Sequence, residues 1–150
     1  MPNLENILIT GSSGLVGAPL VKKLLKKSNL IVGLDPVINP ENNEKYKHIS
    51  KPLKSVNDVL YLLKNYKITK IIHVGGISGP MLANKKPSLI IENNIFFTMY
   101  LVEASRIFKK INRFIFCSSI SAYGKLAKSN TTEEYLFAPE NLYGATKASC

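Results

Sequence analysis

Short apolar runs alternate with helix-patterned stretches along the whole chain, and this alternation restricts the fold more than any other feature. Asn6–Thr10 (NILIT), Leu30–Asp35 (LIVGLD), Lys70–Val74 (KIIHV) and Arg113–Ser118 (RFIFCS) are β-branched or aromatic and read as buried strands. Tyr46–Ile49 is a weaker strand signal. Leu15, Val16, Pro19, Leu20, Leu24 and Leu25 make an apolar helical stripe, with Lys22, Lys23, Lys26 and Lys27 as its solvated face. Ser55 and Asp58 resemble a capping box opening a helix through Val59, Leu60, Leu62 and Leu63. A longer helix is expected over Ile90–Phe108, starting near Pro87 and Ser88, and a fourth begins at Leu142. Asn39–Lys45 reads as a polar surface loop. Such alternation predicts an α/β fold, a parallel sheet covered by helices on both faces. Right-handed crossovers favour a doubly wound order, 3-2-1-4-5, with a ligand crevice at the carboxyl ends of the strands.

Charge and composition then narrow the partners. The 150 residues carry a formal net charge of +10, yet only Arg106 and Arg113 are arginines. Arginine is the usual residue for bidentate phosphate and guanine contacts, so scattered lysines argue against nucleic acid. No apolar run is long enough to span a bilayer, and the N-terminus lacks the pattern of a signal peptide. Cys117 and Cys150 have no metal-ligand spacing, so no metal is expected, and their scarcity fits a reducing cytoplasm. The length suits a single domain over 1–150.

The first strand runs into Thr10-Gly11-Ser12-Ser13-Gly14-Leu15-Val16-Gly17 and then into a helix. In that setting Gly11 permits a sharp turn, Gly14 a close backbone approach to a pyrophosphate, and Gly17 tight helix–strand packing. With Ser13, Leu15 and Val16 they form the candidate phosphate-binding segment, at the positive end of a helix. A bare connecting turn would satisfy the same pattern. Asp35 closes the second strand, where a carboxylate accepts from ribose hydroxyls and repels a 2′-phosphate, which favours NAD over NADP. Asp35 before Pro36 also reads as an ordinary turn residue.

Near the other end, Tyr143-Gly144-Ala145-Thr146-Lys147 sets a phenol and an ammonium at i and i+4 on one helical face. A tyrosine hydroxyl that acts as a base near neutrality needs about 4 kcal/mol of phenolate stabilisation. A fixed lysine charge and an oxidised nicotinamide can supply it. Cys117-Ser118-Ser119 ends the last strand at the ligand edge, where a hydroxyl can hold a substrate oxygen. Cys117 reads as a small core filler and His73 as a packed, hydrogen-bonded strand-end residue. The Ser78-Gly79-Pro80-Met81 loop is either a substrate contact or an ordinary turn.

Taken in order, TGSSGLVG, Asp35, HVGG (73–76), Asn94, FCSSISAYG (116–124) and YGATK (143–147) resemble the extended short-chain dehydrogenase/reductase family, the NAD-dependent epimerase/dehydratase type, over essentially the whole chain. The resemblance implies a Rossmann fold that binds NAD, with Ser119, Tyr143 and Lys147 as catalytic residues. Tyr143 would move the hydroxyl proton, Ser119 would orient that oxygen, and Lys147 would bind the nicotinamide ribose and tune Tyr143. Ser118 and Ser121 are the secondary hydroxyls. Gly75 and Gly76 would allow close backbone approach to the cofactor. Asn94 matches the asparagine of an N-x-x-G-T segment that supports the site. Glu133 and Pro139 match residues leading into the tyrosine segment. HVGG departs from the more usual HLAA, Phe97 stands where that segment has glycine, and Ser50-Lys51-Pro52 replaces an aspartate near the adenine.

The resemblance further implies a small-molecule substrate, a sugar nucleotide or related sugar or polyol, and leaves room for a homodimer of a longer protein. Members of the family extend well beyond 150 residues, and their C-terminal part supplies much of the substrate pocket. A sheet cut before its later strands, with RFIFCS at an exposed edge and little turnover by this chain alone, is therefore expected. The alternative to an epimerase, dehydratase or dehydrogenase is a non-catalytic NAD-binding module.

Overall fold

The computed structural model describes residues 5–78, 85–126 and 131–150. They form two compact units, Met1–Gly75 with Tyr100–Cys117, and Gly76–Met99 with Ser118–Cys150.

The first unit is built on five parallel strands, β1 (Asn6–Thr10), β2 (Leu30–Leu34), β3 (Tyr46–Ile49), β4 (Lys70–His73) and β5 (Arg113–Phe116). Their order, β3-β2-β1-β4-β5, is the doubly wound Rossmann order expected from the alternation. Central β1 pairs Ile7, Leu8 and Ile9 with Ile31, Val32 and Gly33 on one side and with Lys70, Ile71 and Ile72 on the other. Ile7 and Ile9 pack with Val21, Leu25, Ile31 and Tyr46. Leu8 alternates onto the opposite face, and it is fully buried together with Val32 and Ile71. Burial on both faces is why β1 and β2 read as continuous apolar runs rather than alternating ones. β5 differs: Arg113 is exposed and Ile115 is 43% exposed, so this edge strand of the described sheet is half-solvated rather than buried. β2, β4 and β5 stop at Leu34, His73 and Phe116, which leaves Asp35, Val74 and Cys117 just past the strand ends.

Helix α1 (Gly17–Leu25) buries Gly17, Val21 and Leu25, with Leu20 and Leu24 partly covered. The expected stripe was displaced at its start. Leu15 is 96% exposed, and Val16 and Pro19 are exposed as well, because the helix begins only at Gly17 and its buried phase runs through Val21. The four lysines are exposed as read. Helix α2 (Val56–Asn65) is capped by Ser55, whose Oγ accepts from Asp58 N at 3.1 Å, and buries Val59, Leu62 and Leu63. Asn39, expected in a surface loop, is buried, and its Nδ2 donates to the Ser12 carbonyl at 2.7 Å.

The long helix expected over Ile90–Phe108 is interrupted. Helix α3 (Pro87–Ile91) passes through a π-helical turn (Glu92–Phe96) into α4 (Phe97–Phe108). The second unit takes α3, the π turn and the head of α4, adds short 3-10 turns at Ile120–Ala122 and Gly124–Leu126, and ends with α5 (Leu142–Ser149). Asn141 caps α5, its side chain accepting from Gly144 N at 2.8 Å. Among the described residues no helix is long and apolar enough to cross a membrane.

At the amino edge of the sheet Glu5 pairs with Lys70 and accepts from Asn112 Nδ2 at 3.0 Å. The hydrogen bond from Lys70 holds the Glu5 carboxyl below the ordinary glutamate value. Because the folded value is the lower one, this contribution to stability is present above the ordinary carboxylate range and lost as pH falls through the folded value. Glu5→Gln is therefore expected to melt closer to the parent in acid than at neutral pH, as thermal melts across that range will show.

Candidate functional site

The glycine turn of the first unit is a close junction of backbone. Gly11 takes φ +68 and donates its N–H to the Leu34 carbonyl at 2.8 Å, so the turn leaves β1 over the end of β2. A Cβ on Gly17 would lie 2.0 Å from the Gly11 carbonyl oxygen, and a Cβ on Gly11 would lie 2.7 Å from Gly75 Cα. Gly14 is exposed and donates to the Gly11 carbonyl at 3.1 Å. Leu15 and Val16 follow, exposed, and head α1 without a side-chain cap. The turn thus presents bare backbone beside the positive end of α1.

Asp35 stands beside this turn. Its Oδ2 accepts from Ser13 N at 3.1 Å and its Oδ1 accepts from Val37 N at 2.9 Å. Ser13 Oγ donates to the Val37 carbonyl at 2.6 Å. The turn role and the ribose role are compatible, since an ionised carboxylate accepts about four hydrogen bonds and two are used. Ser12, Asn39, Tyr46 and His48, which support the turn and Asp35 from behind, were missed in the sequence. Nothing in their spacing announces them, apart from Tyr46 and His48 sharing one face of β3.

His73 is fully buried, its Nδ1 2.5 Å from Thr10 Oγ1, with Phe114 and Phe116 around its ring. It is the packed strand-end residue expected. Cys117 is half-buried just past β5 rather than inside the core, its N–H donating to the His73 carbonyl at 3.0 Å. Gly75 donates its N–H to Thr10 Oγ1 at 3.0 Å.

The second unit gathers the remaining candidates. α5 carries Tyr143 and Lys147 on one face, the Lys147 Nζ lying 6.0 Å from the centre of the Tyr143 ring. Lys147 is buried, and a Cβ on Gly76 would lie 3.6 Å from its Nζ. Asn94, also buried, sits inside the π turn. Its Oδ1 accepts from Ile77 N at 2.8 Å, and its Nδ2 donates to the Ile77 carbonyl at 3.0 Å and to Thr146 Oγ1 at 3.1 Å. Thr146 Oγ1 in turn donates to the Tyr143 carbonyl at 2.7 Å. The carboxamide of Asn94 therefore clasps the segment after Gly76 to the helix of Tyr143 and Lys147. Ser119 caps the 3-10 turn, its Oγ accepting from Ser121 N at 3.2 Å. α5 lies on that same turn, since a Cβ on Gly144 would come within 2.3 Å of the Ser121 carbonyl. Ser78 is exposed, and Gly79, Pro80 and Met81 lie outside the described residues. Among the described residues no group of three or more His, Cys, Asp and Glu side chains could hold a metal ion.

A parallel sheet of order β3-β2-β1-β4-β5 with a glycine turn after β1 and a helix following it belongs to the doubly wound Rossmann class. The model of the NAD dependent epimerase/dehydratase family matches residues 7–150, and the chain belongs to that family. The protein CapI of Staphylococcus aureus is 29% identical over 95% of this chain and 46% of its own length. UDP-glucose 4-epimerase 4 of Oryza sativa subsp. japonica is 28% identical over 95% of the chain and 42% of its length. UDP-glucuronic acid 4-epimerase from Bacillus cereus, solved in complex with UDP-glucuronic acid and NAD, is 30% identical and superposes with a TM-score of 0.83, covering 96% of this chain and 49% of that one. The chain thus spans about half the length of the relatives it matches. NAD, the cofactor expected from Asp35, agrees with the family description and with that complex.

Gly17→Ala tests the junction. The added methyl has to displace the Gly11 carbonyl or the helix, a backbone overpacking worth about 1–3 kcal/mol. A melting temperature lowered by roughly 3–10 °C is expected in thermal denaturation.

Proposed function

We propose that this chain carries the NAD-binding and proton-transfer residues of an epimerase, dehydratase or dehydrogenase acting on a sugar nucleotide or a related sugar or polyol. The observation that carries the reading is the pairing of Tyr143 with a buried Lys147 on one face of α5, in a chain that also has the glycine turn and Asp35. NAD fits the first unit. Side chains are missing where Gly11 and Gly17 meet, the end of α1 is uncapped by any side chain, and Asp35 keeps acceptor capacity for ribose hydroxyls. Gly11, Ser13, Gly14, Leu15, Val16 and Gly17 would hold the pyrophosphate, and Asp35 the adenosine ribose, disfavouring a 2′-phosphate. When bound, the cofactor supplies a nicotinamide carbon that accepts hydride from the substrate and can return it.

The chain's own groups handle the proton. Tyr143 takes the hydroxyl proton of the substrate as its carbon is oxidised. The Lys147 ammonium, held one turn away on the same face, would bond the nicotinamide ribose. Ser119 uses acceptor capacity on Ser121 N, which leaves its hydroxyl hydrogen to orient the substrate oxygen. Asn94 and Thr146 keep the helix of Tyr143 and Lys147 in place. Gly75 and Gly76 give the cofactor side chain-free backbone. A cytoplasmic setting and a homodimer of a longer protein belong to the same proposal, as does the module that binds NAD without turnover, which shares all of the binding residues.

Thermal melts of the chain with NAD and with NADP test the cofactor half. Ligand at a hundred times its dissociation constant adds about 2.7 kcal/mol. A rise of roughly 5–10 °C with NAD and little with NADP is expected. A cooperative melt that neither nucleotide moves would rule the nucleotide reading out. The catalytic half is read on a version of the chain extended to the length of its relatives, with candidate sugar nucleotides and NAD, since the 150 residues alone are expected to turn over little. Turnover, followed by NADH absorbance or product analysis, is expected to vanish in Tyr143→Phe while the NAD-dependent shift stays. Turnover retained by that variant refutes the role given to Tyr143, and an absence of turnover with every sugar nucleotide favours the binding module.

A further inference from the structure

Behind the glycine turn a polar chain runs through the sheet unit from Ser12 to the backbone of Asp35. Ser12 is fully buried and Tyr46 is 7% exposed. Tyr46 Oη lies 3.3 Å from Ser12 Oγ and 3.1 Å from His48 Nδ1, and His48 Nε2 lies 3.0 Å from the Asp35 carbonyl oxygen. Tyr46 fits only because Gly33 has no side chain, since a Cβ there would lie 2.1 Å from its hydroxyl oxygen. The donors in this chain follow from chemistry. A carbonyl only accepts, so His48 Nε2 carries the hydrogen and donates to Asp35. The Tyr46 hydroxyl, bonded to the other ring nitrogen, Nδ1, at 3.1 Å, donates to Ser12 Oγ at 3.3 Å. Burial, with the Asp35 charge adding to it against the hydrogen bond of Ser12, pushes the Tyr46 phenol above its ordinary value and keeps that donor protonated.

What this chain holds is the residue whose side chain meets the ribose. Asp35 lies one residue past the end of β2, and its N–H still donates to the Ile49 carbonyl at 3.1 Å. Its own carbonyl is met by a side chain of β3, His48, in place of a further ladder bond. Pro36 follows and has no N–H to offer. Both backbone groups of Asp35 therefore rest on β3, while its carboxylate is held by Ser13 N and Val37 N.

We propose that His48 and Tyr46 are positioning residues for nucleotide recognition, fixing the Asp35 main chain so that its carboxylate faces the adenosine ribose, and that β3 thereby helps to set the preference for NAD over NADP. This rests on the ribose role given to Asp35 above.

Calorimetric titration of the chain with NAD and with NADP tests it in the parent, His48→Leu, His48→Gln, Tyr46→Phe and Asp35→Ala. His48→Leu is expected to weaken NAD about 3- to 10-fold, the scale of one lost hydrogen bond, and to leave NADP unchanged. His48→Gln, whose amide N–H can reach the same carbonyl, is expected to restore most of the preference. Tyr46→Phe keeps the ring and is expected to lower the preference in the same direction by a smaller factor. A folded His48→Leu that keeps the parent ratio, or loses both nucleotides equally, overturns the proposal. If His48→Leu does not fold, Tyr46→Phe and His48→Gln decide, and a parent ratio in Tyr46→Phe overturns it. Asp35→Ala separates the two readings. If it keeps the parent preference, the ribose role fails and this proposal falls with it. If Asp35→Ala loses the preference while His48→Leu keeps it, only the positioning role fails.

Discussion

Everything in the nucleotide end of the sheet unit depends on one contact between backbones. Gly11 ends β1 by donating to Leu34 of β2, lies against Gly75 beyond β4, and faces Gly17 at the start of α1. Two neighbouring strands and one helix meet at a residue with no side chain. Any atom added there or at Gly17 has to push main chain rather than a flexible side chain, which is the costly case in a close-packed interior. The geometry of the turn is thus a property of how the strands and helix are stacked. Ser13, Leu15 and Val16 inherit their positions from that stacking.

Asp35 and Asn94 show how the same economy is used at side chains. Asp35 spends two acceptor positions on Ser13 and Val37 and so fixes the turn beside it, while two remain for a ligand. Asn94 spends both amide hydrogens and its oxygen on Ile77 and Thr146. One residue keeps acceptor capacity beyond its structural bonds; the other is structural in every bond it makes here. A resemblance that places both in a list of site residues does not separate these roles, and hydrogen-bond accounting does.

The strand order was legible because buried parallel strands leave continuous apolar runs, and NILIT, LIVGL and KIIH are such runs. The glycine turn after β1, the acid just past β2 and the placement of Tyr143 and Lys147 on one helix face were legible because each rests on a fixed spacing along one turn or one helix. The start of α1 was misread because Leu15 and Val16 are apolar and in nearly helical spacing, although they belong to the turn and are exposed. Asn39, Tyr46 and His48 were illegible for a different reason. Their partners are Ser12 and Asp35, more than a dozen residues away in most cases, and they meet only after the sheet has formed. β5 reads as an apolar strand like the others, yet it stands at the sheet edge, where the RFIFCS run was expected to be exposed.

The π-helical turn at Glu92–Phe96 has a consequence for how this sequence can change over time. Each residue of a helix advances its direction by about 100°. A π turn holds one residue more than the regular spiral, so it acts as a phase shifter within a continuous rod. Upstream of it Ile90 is buried; within it Asn94 reaches Ile77 and Thr146; downstream Leu101 and Ala104 are buried. Loss of a single residue from this stretch would restore ordinary helix and rotate Asn94 by a quarter turn or more relative to Ile90, away from Ile77 and Thr146. A change of length here therefore costs the Asn94 clasp, whatever residues flank it.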